Sequence, residues 1–169
     1  MSHAKNKLDW CLKKAEKELS VSDKHRGLVQ IKPDLEQSKG HIIKAEHYLK
    51  AADYLKRGGF SDLSASALFY VMYHSLLAIA TKLGYESRNQ ECTFALISSL
   101  IEENKIDFPQ ELLKKIFSFD ELQHQENTCL MIRELYQYGT SLSLSDNIYN
   151  EMFNLAKEVI SKTKIIMEQ

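Results

Sequence analysis

Four arginines stand against eighteen lysines in this chain, so the places where arginine was chosen are the first to search for anion chemistry. A guanidinium is a permanently charged planar fork that grips a phosphate or carboxylate through two bonds at once, which an ammonium cannot do. Two of the four sit at informative places. Arg88 is followed by Asn89 and Gln90 at the expected start of a helix. Arg133 lies in Ile132-Arg133-Glu134-Leu135-Tyr136-Gln137-Tyr138, where Arg133, Tyr136 and Gln137 share one helix face at i, i+3, i+4 and Tyr138 lies off that face at the helix end. Both arginines are candidates for gripping a phosphate or a carboxylate. The alternative is an arginine paired with a core-edge carboxylate and tyrosines that pack, and ion pairs are the commoner use of such residues.

Other chemistries find less support. The Glu-x-x-His of Glu121 to His124 stands alone in a polar segment, whereas a di-metal bundle needs two such pairs plus inward glutamates. No HExxH occurs, and His41 and His47 are six residues apart, on different faces of a helix, so they read as surface histidines. Gly58-Gly59 lacks both a preceding strand and a Walker lysine and reads as a turn. No metal and no cofactor is expected.

The elements that must position these groups are helices. From Ser61 to Gly84 the chain is apolar on nearly every face, which predicts a central helix capped by Ser61 and stopped by Gly84. Tyr70, Tyr73 and His74 interrupt its apolar surface and need partners. Before it, periodicity predicts a short amphipathic helix over Asn6–Leu19, a connection over Ser20–Lys32, and a long helix from Pro33 to the stop at Gly58-Gly59, bent or split by Gly40. After it come a loop at Tyr85–Ser87 with Ser87 as a cap, helices over Arg88–Asn104 and Asp107–Phe119, a polar stretch at Glu121–Asn127, a helix through Cys129 closed by Gly139, and a last long helix capped by Ser145. No stretch alternates with period two for long enough to demand a strand. The expected class is all-α, a bundle of four or five main helices with short additions.

Composition sets the outer bounds. Hydrophobic residues at 44%, charged residues at 27% and a net charge of −1 describe an ordinary globular chain, not one that coats nucleic acid by bulk electrostatics. The charged N-terminus shows no signal peptide, and no uninterrupted apolar run has the length of a membrane span. Cys11, Cys92 and Cys129 are far apart and form no CxxC, which predicts buried reduced thiols and a cytoplasmic setting.

A resemblance joins these observations. Ala45-x-x-x-Leu49, Gly59-Phe60, the run Ser64-Ala65-x-x-Ala67-Leu68-Phe69-Tyr70-x-x-Tyr73-His74-Ser75-x-x-Ala78 and Lys82-x-Gly84 resemble the HEPN domain, in the branch with a Tyr-Tyr-x-Met-Phe-His-like second helix. Arg133-x-x-x-Gln137-Tyr138 is similar to that branch's Arg-x-x-x-Asp-Tyr stretch, and the closing helix with Ala156 and Val159 is similar to its last helix. The resemblance covers roughly Ile42 to Lys164. It implies an antiparallel up-and-down four-helix bundle over residues 33–169, with an added N-terminal helix and connection over 1–32 and short extra helices, a homodimer, a minimal nucleotidyltransferase as partner in a toxin–antitoxin pair, and, in active members, metal-independent RNA cleavage by an Arg and a following His. Here no His follows Arg133, Gln137 stands where the branch has an acid, and Gln90 stands where it has a His. Glutamine exchanges no proton near neutral pH. The resemblance therefore implies a module that binds a nucleotide, RNA or partner protein, with Arg133, Tyr136, Gln137, Tyr138, Arg88, Asn89 and His74 as the binding set. The alternatives are a ribonuclease in which Arg133 acts with His74 or His124, and a structural protein whose apolar surface serves only dimerisation.

Overall fold

A computed structural model describes residues 2–118 and 128–169. Among the described residues the order is α1 (His3–Leu19), β1 (Leu28–Gln30), α2 (Leu35–Arg57), α3 (Ser61–Lys82), β2 (Tyr85–Ser87), α4 (Gln90–Glu102), α5 (Gln110–Ile116), α6 (Cys129–Tyr138) and α7 (Asp146–Glu168). The class is all-α and bundle-like, as the periodicity predicts. The expected polar stretch at Glu121–Asn127 lies outside the described residues, as does Phe119 at the expected end of α5.

The centre is α3. Leu68, Phe69, Val71, Met72, Leu76 and Ile79 are fully buried and point around the whole helix, because α2, α4, α6 and α7 all pack against it. Each such side chain contributes about 1.5–3 kcal/mol when taken out of water. The helix is long and apolar enough to cross a membrane, with a mean hydropathy of 1.5 over its best window, yet 78% of that window is buried inside the protein's own fold. The short link Gly58–Phe60 folds α2 back along α3 as an antiparallel neighbour. Ser38 on α2 donates to the Ala78 carbonyl at 2.6 Å, and Ser64 on α3 to the Ala52 carbonyl at 3.1 Å, so small hydroxyls tie the two backbones where they approach closest.

Several local expectations are corrected. Ser61 is not the N-cap of α3: Phe60 holds that position, and the Ser61 hydroxyl accepts from the Leu144 backbone N–H at 2.9 Å, anchoring the chain that leads into α7. Pro33 precedes α2, whose cap is Asp34, accepting from the Gln37 N–H. Gly40 neither ends nor splits α2, since the turns on both sides of it are held by packing on α3. The connection and the loop contain a two-stranded antiparallel ribbon, with Leu28 opposite Ser87 and Gln30 opposite Tyr85; three-residue strands are too short to show alternation. Asn89, not Ser87, caps α4 through its bond from the Cys92 N–H. Ser145 caps α7 as expected.

The thiol expectation fails for two of the three cysteines. Cys11 of α1 and Cys92 of α4 form a disulfide across 81 residues. Spacing in sequence carries no trace of it, because only the packing of α1 on α4 brings the two Cα atoms to 5.7 Å. Cys129 is free and buried, and burial pushes its thiol up to about 12.

Two glycines in this framework should respond in opposite directions to alanine. Gly84 has φ +80°, and a Cβ there would lie 2.8 Å from the Ile31 carbonyl oxygen, so Gly84→Ala should cost about 2 kcal/mol or more. Gly40 sits inside α2 with open space where a Cβ would go, so Gly40→Ala should stabilise by about 0.5–1 kcal/mol. Urea denaturation midpoints of the two variants check both signs.

Candidate functional site

Arg133 is on the bundle-facing side of α6, where its i, i+3 neighbour Tyr136 also packs on the core. The amphipathic pattern of α6 forces this: Cys129 and Arg133, four residues apart, are its buried positions, so the arginine occupies a place where an apolar residue would ordinarily go. Arg133 is 8% exposed. Its Nη2 donates to the Tyr70 hydroxyl at 3.4 Å, and its guanidinium carbon lies 5.5 Å and 5.8 Å from the ring centres of Phe69 and Tyr70.

That leaves a buried cation poorly neutralised. Among the described residues its ion-pair partner is Glu134, at 3.9 Å and half-exposed, and Nε is buried with no hydrogen-bond partner. Burying a charge is costly unless it is paired and hydrogen-bonded. Cation–π contacts recover about 0.5–2 kcal/mol, less than the desolvation of a guanidinium. Among the described residues, the expected core-edge carboxylate is therefore present only in a long, solvent-exposed form. An anion accepting from Nε would satisfy the orphaned donor.

From Arg133 the structure runs a continuous line of rings onto α2. Tyr48 stacks on Tyr70, with centroids 5.5 Å apart and planes at 27°, and on His74, one turn further along α3, at 5.5 Å and 21°. The Lys44 ammonium lies 5.2 Å from the centre of the Tyr48 ring. His74 Nδ1 faces His41 Nδ1 at 3.1 Å, which requires one imidazole to donate and the other to accept. Burial, then the facing His41, then Lys44 draw the His74 pKa down to about 4, and burial also lowers that of His41. Both rings are thus neutral near neutral pH. His41 is half-buried and bonded, which corrects its reading as a surface histidine; His47 is exposed.

The sequence-derived set divides in two. Arg133, Tyr136 and His74 line the α2–α3–α6 region, with Gln137 and Tyr138 exposed beside it, Tyr138 at 74%. Arg88 and Asn89 are engaged elsewhere. Arg88 Nε donates to Glu86 at 2.7 Å, its backbone N–H bonds to the Gly27 carbonyl, and the Asn89 carboxamide is spent on the α4 cap. None of these bonds reaches Arg133 or its partners. Glu86 also meets the Nε2 of buried His25 at 3.2 Å, so Arg88 belongs to a cluster on the ribbon. His124 lies outside the described residues. Among the described residues no group of three His, Cys, Asp or Glu side chains could hold a metal ion.

The residues that sequence reasoning missed are Tyr48, Lys44 and His41, all on α2. Tyr48 was legible only as an apolar position. The signal was present in the spacing: Lys44 and His41 stand four and seven residues before Tyr48, one and two helical turns along a single face, opposite Tyr70 and His74 on the antiparallel neighbour.

The lowered imidazole pKa has a pH consequence. The unfolded chain takes up a proton on His74 near 6.5, whereas the native ring holds out to about 4. Between those values the unfolded state binds more protons, so stability is full above the unfolded pKa and falls as pH drops through this window. His41 contributes in the same direction. Urea midpoints of wild type and His74→Gln, measured from pH 7 to pH 4, should show a shallower decline in the variant; parallel curves would remove His74 from this role.

The HEPN domain model matches residues 38–167, which takes in most of α2, all of α3, α4, α5 and α6, and nearly all of α7. No curated protein matches the chain. With more than half its length matched, from Ser38 on α2 to Met167 on α7, this chain belongs to the HEPN domain family, a nucleotide- and RNA-related module.

Proposed function

We propose that this HEPN protein binds a nucleotide or an RNA phosphate at Arg133, as a binding module and not as a metal-independent ribonuclease. The observation that carries this is the buried guanidinium with an orphaned Nε and, among the described residues, no carboxylate nearer than 3.9 Å. A natural chain keeps so poorly neutralised a cation in an apolar position at a cost in stability, and a ligand phosphate would offset that cost by accepting a bidentate grip. The stacked rings of Tyr70 and Tyr48 and the ammonium of Lys44 continue the surface in a way that suits a base and a second phosphate.

Two points weigh against the cleavage alternative with His74 as base. An imidazole held at about 4 is a weak proton acceptor at neutral pH. Its Nδ1 is also already engaged with His41. The homodimer and the minimal nucleotidyltransferase partner in a toxin–antitoxin setting remain part of the proposal on family grounds. The exposed Met131, Leu135 and Tyr138, at i, i+4, i+7 on the outer face of α6, are apolar surface suited to such a contact.

Calorimetric titration with AMP, ATP and a short single-stranded RNA tests the reading. Arg133→Lys should weaken binding by about tenfold, roughly 1.4 kcal/mol, through loss of the fork. Arg133→Met should abolish it while leaving the unliganded protein as stable as wild type or more so, because the uncompensated charge is gone. Equal heats for wild type and Arg133→Met would overturn the site. RNA cleaved in the presence of a chelator and spared by Arg133→Met would restore the ribonuclease.

A further inference from the structure

The N-terminal helix lies outside the matched domain and, besides the main chain, is joined to it by the Cys11–Cys92 disulfide. Cys11 sits on the buried stripe of α1, with Ala4, Leu8 and Ala15, and Cys92 is in the first turn of α4; both are fully buried. Around them the apolar stripe of α1 is narrow, with half-buried Leu12 beside it and β1 along its flank. Of the seventeen residues of α1 these four are buried, and two of them are alanines. At the rim Lys5 pairs with Glu103 and Lys7 with Glu91, each at 2.6 Å, and Ser2 donates to Glu102 at 2.5 Å. Exposed pairs of this kind contribute little to holding a helix in place.

The helix covers one flank of α4. Every residue of α4 from Cys92 to Leu100 is buried, so α4 is enclosed on all sides, with α3 and α5 on part of its circumference and α1 on another. The chain then returns across α1: a Cβ at Gly27 would lie 2.7 Å from the Cys11 carbonyl oxygen, so the backbone leading into β1 passes flush against the disulfide-bearing turn. Beyond it, Glu86 on β2 bridges His25 from this N-terminal segment and Arg88 at the entrance to α4.

We propose that the Cys11–Cys92 disulfide is a redox latch, closed when oxidised with α1 clasped on α4, and released by a dithiol reductant so that α1 undocks and bares the apolar flank of α4. In the release step a thiolate of the dithiol attacks one cysteine sulfur, and the S–S bond breaks to leave the other cysteine as a thiolate. The second thiol of the reductant then displaces the first cysteine and closes a cyclic disulfide. Two electrons pass to the cysteine pair, and two protons end on its sulfurs. Because both sulfurs are buried, the attack waits for a local opening of the turn around Cys11, which the tether still permits, and only the reduced molecule can then undock α1 as a whole. Cys129 stays outside the exchange: it is buried, with its thiol pushed up to about 12, far from the thiolate that exchange needs. In a reducing compartment such a bond is transient and responsive, which is the behaviour of a latch.

Hydrogen exchange read by mass spectrometry on the full chain, after equilibration with oxidised glutathione and again with dithiothreitol, tests this. The oxidised protein should hold a single alkylatable cysteine when unfolded. Reduction should speed exchange in α1 by at least about tenfold while α3 and α7 keep their protection. Cys11→Ser without reductant should match the reduced wild type, and in native reduced protein iodoacetamide should label Cys11 and Cys92 but not Cys129. Three alkylatable cysteines after glutathione treatment would overturn the latch. So would α1 exchange that is unchanged on reduction or in Cys11→Ser, or a rise shared equally by α1, α3 and α7, which would make the bond a general staple. These readouts are independent of ligand binding at Arg133.

Discussion

A helix apolar around its whole circumference cannot be half-solvated, and everything in this molecule follows from the need to enclose α3. Its fully buried side chains, from Leu68 to Ile79, point in every direction, so single-sided packing would leave part of that surface in water. Four other helices supply the enclosure. The close approach of α2 is possible because Ala45, Ala52, Ser38 and Ser64 are small at the contact, and two serine hydroxyls satisfy backbone carbonyls there without needing space.

The candidate site is the place where that enclosure is made of polar material. On the α2–α6 side the cover consists of Tyr48, His41 and Arg133, laid against Tyr70 and His74 of α3. Rings stacked on rings bury apolar area while their polar edges bond along the surface, which lets titratable groups occupy a core position in neutral form. The arginine cannot become neutral. Among the described residues its guanidinium is the under-satisfied part of that cover, and it stabilises the fold poorly.

The N-terminal helix extends the same logic one layer outward. Once α4 lies on α3, its own outer face needs cover, and α1 provides it with a narrow alanine-rich stripe held by a covalent bond. The Glu86 carboxylate then joins the ribbon to both segments, meeting His25 on one side and Arg88 on the other. This is why Arg88, which looks equivalent to Arg133 in the sequence, serves a structural cluster instead of the ring-lined surface.

Periodicity and capping chemistry alone determined the helical class, the central position of α3, the turn at Gly58-Gly59, the stop at Gly84 and the cap at Ser145, because these depend on local sterics and on which faces are apolar. The motif order also placed the chain in its family, and the choice of arginine marked Arg133. What only the tertiary structure decided was pairing between distant segments. The ribbon of β1 with β2 joins strands too short to pattern, the Cys11–Cys92 bond spans 81 residues, and Tyr48 and His41 acquire polar roles only when α2 lies antiparallel to α3. Ser61 and Ser87 read as caps because their neighbours allow it, yet the Leu144 N–H claims the first hydroxyl and Asn89 outcompetes the second. A local preference holds wherever nothing remote competes for the same atom, and it yields wherever packing brings a better partner.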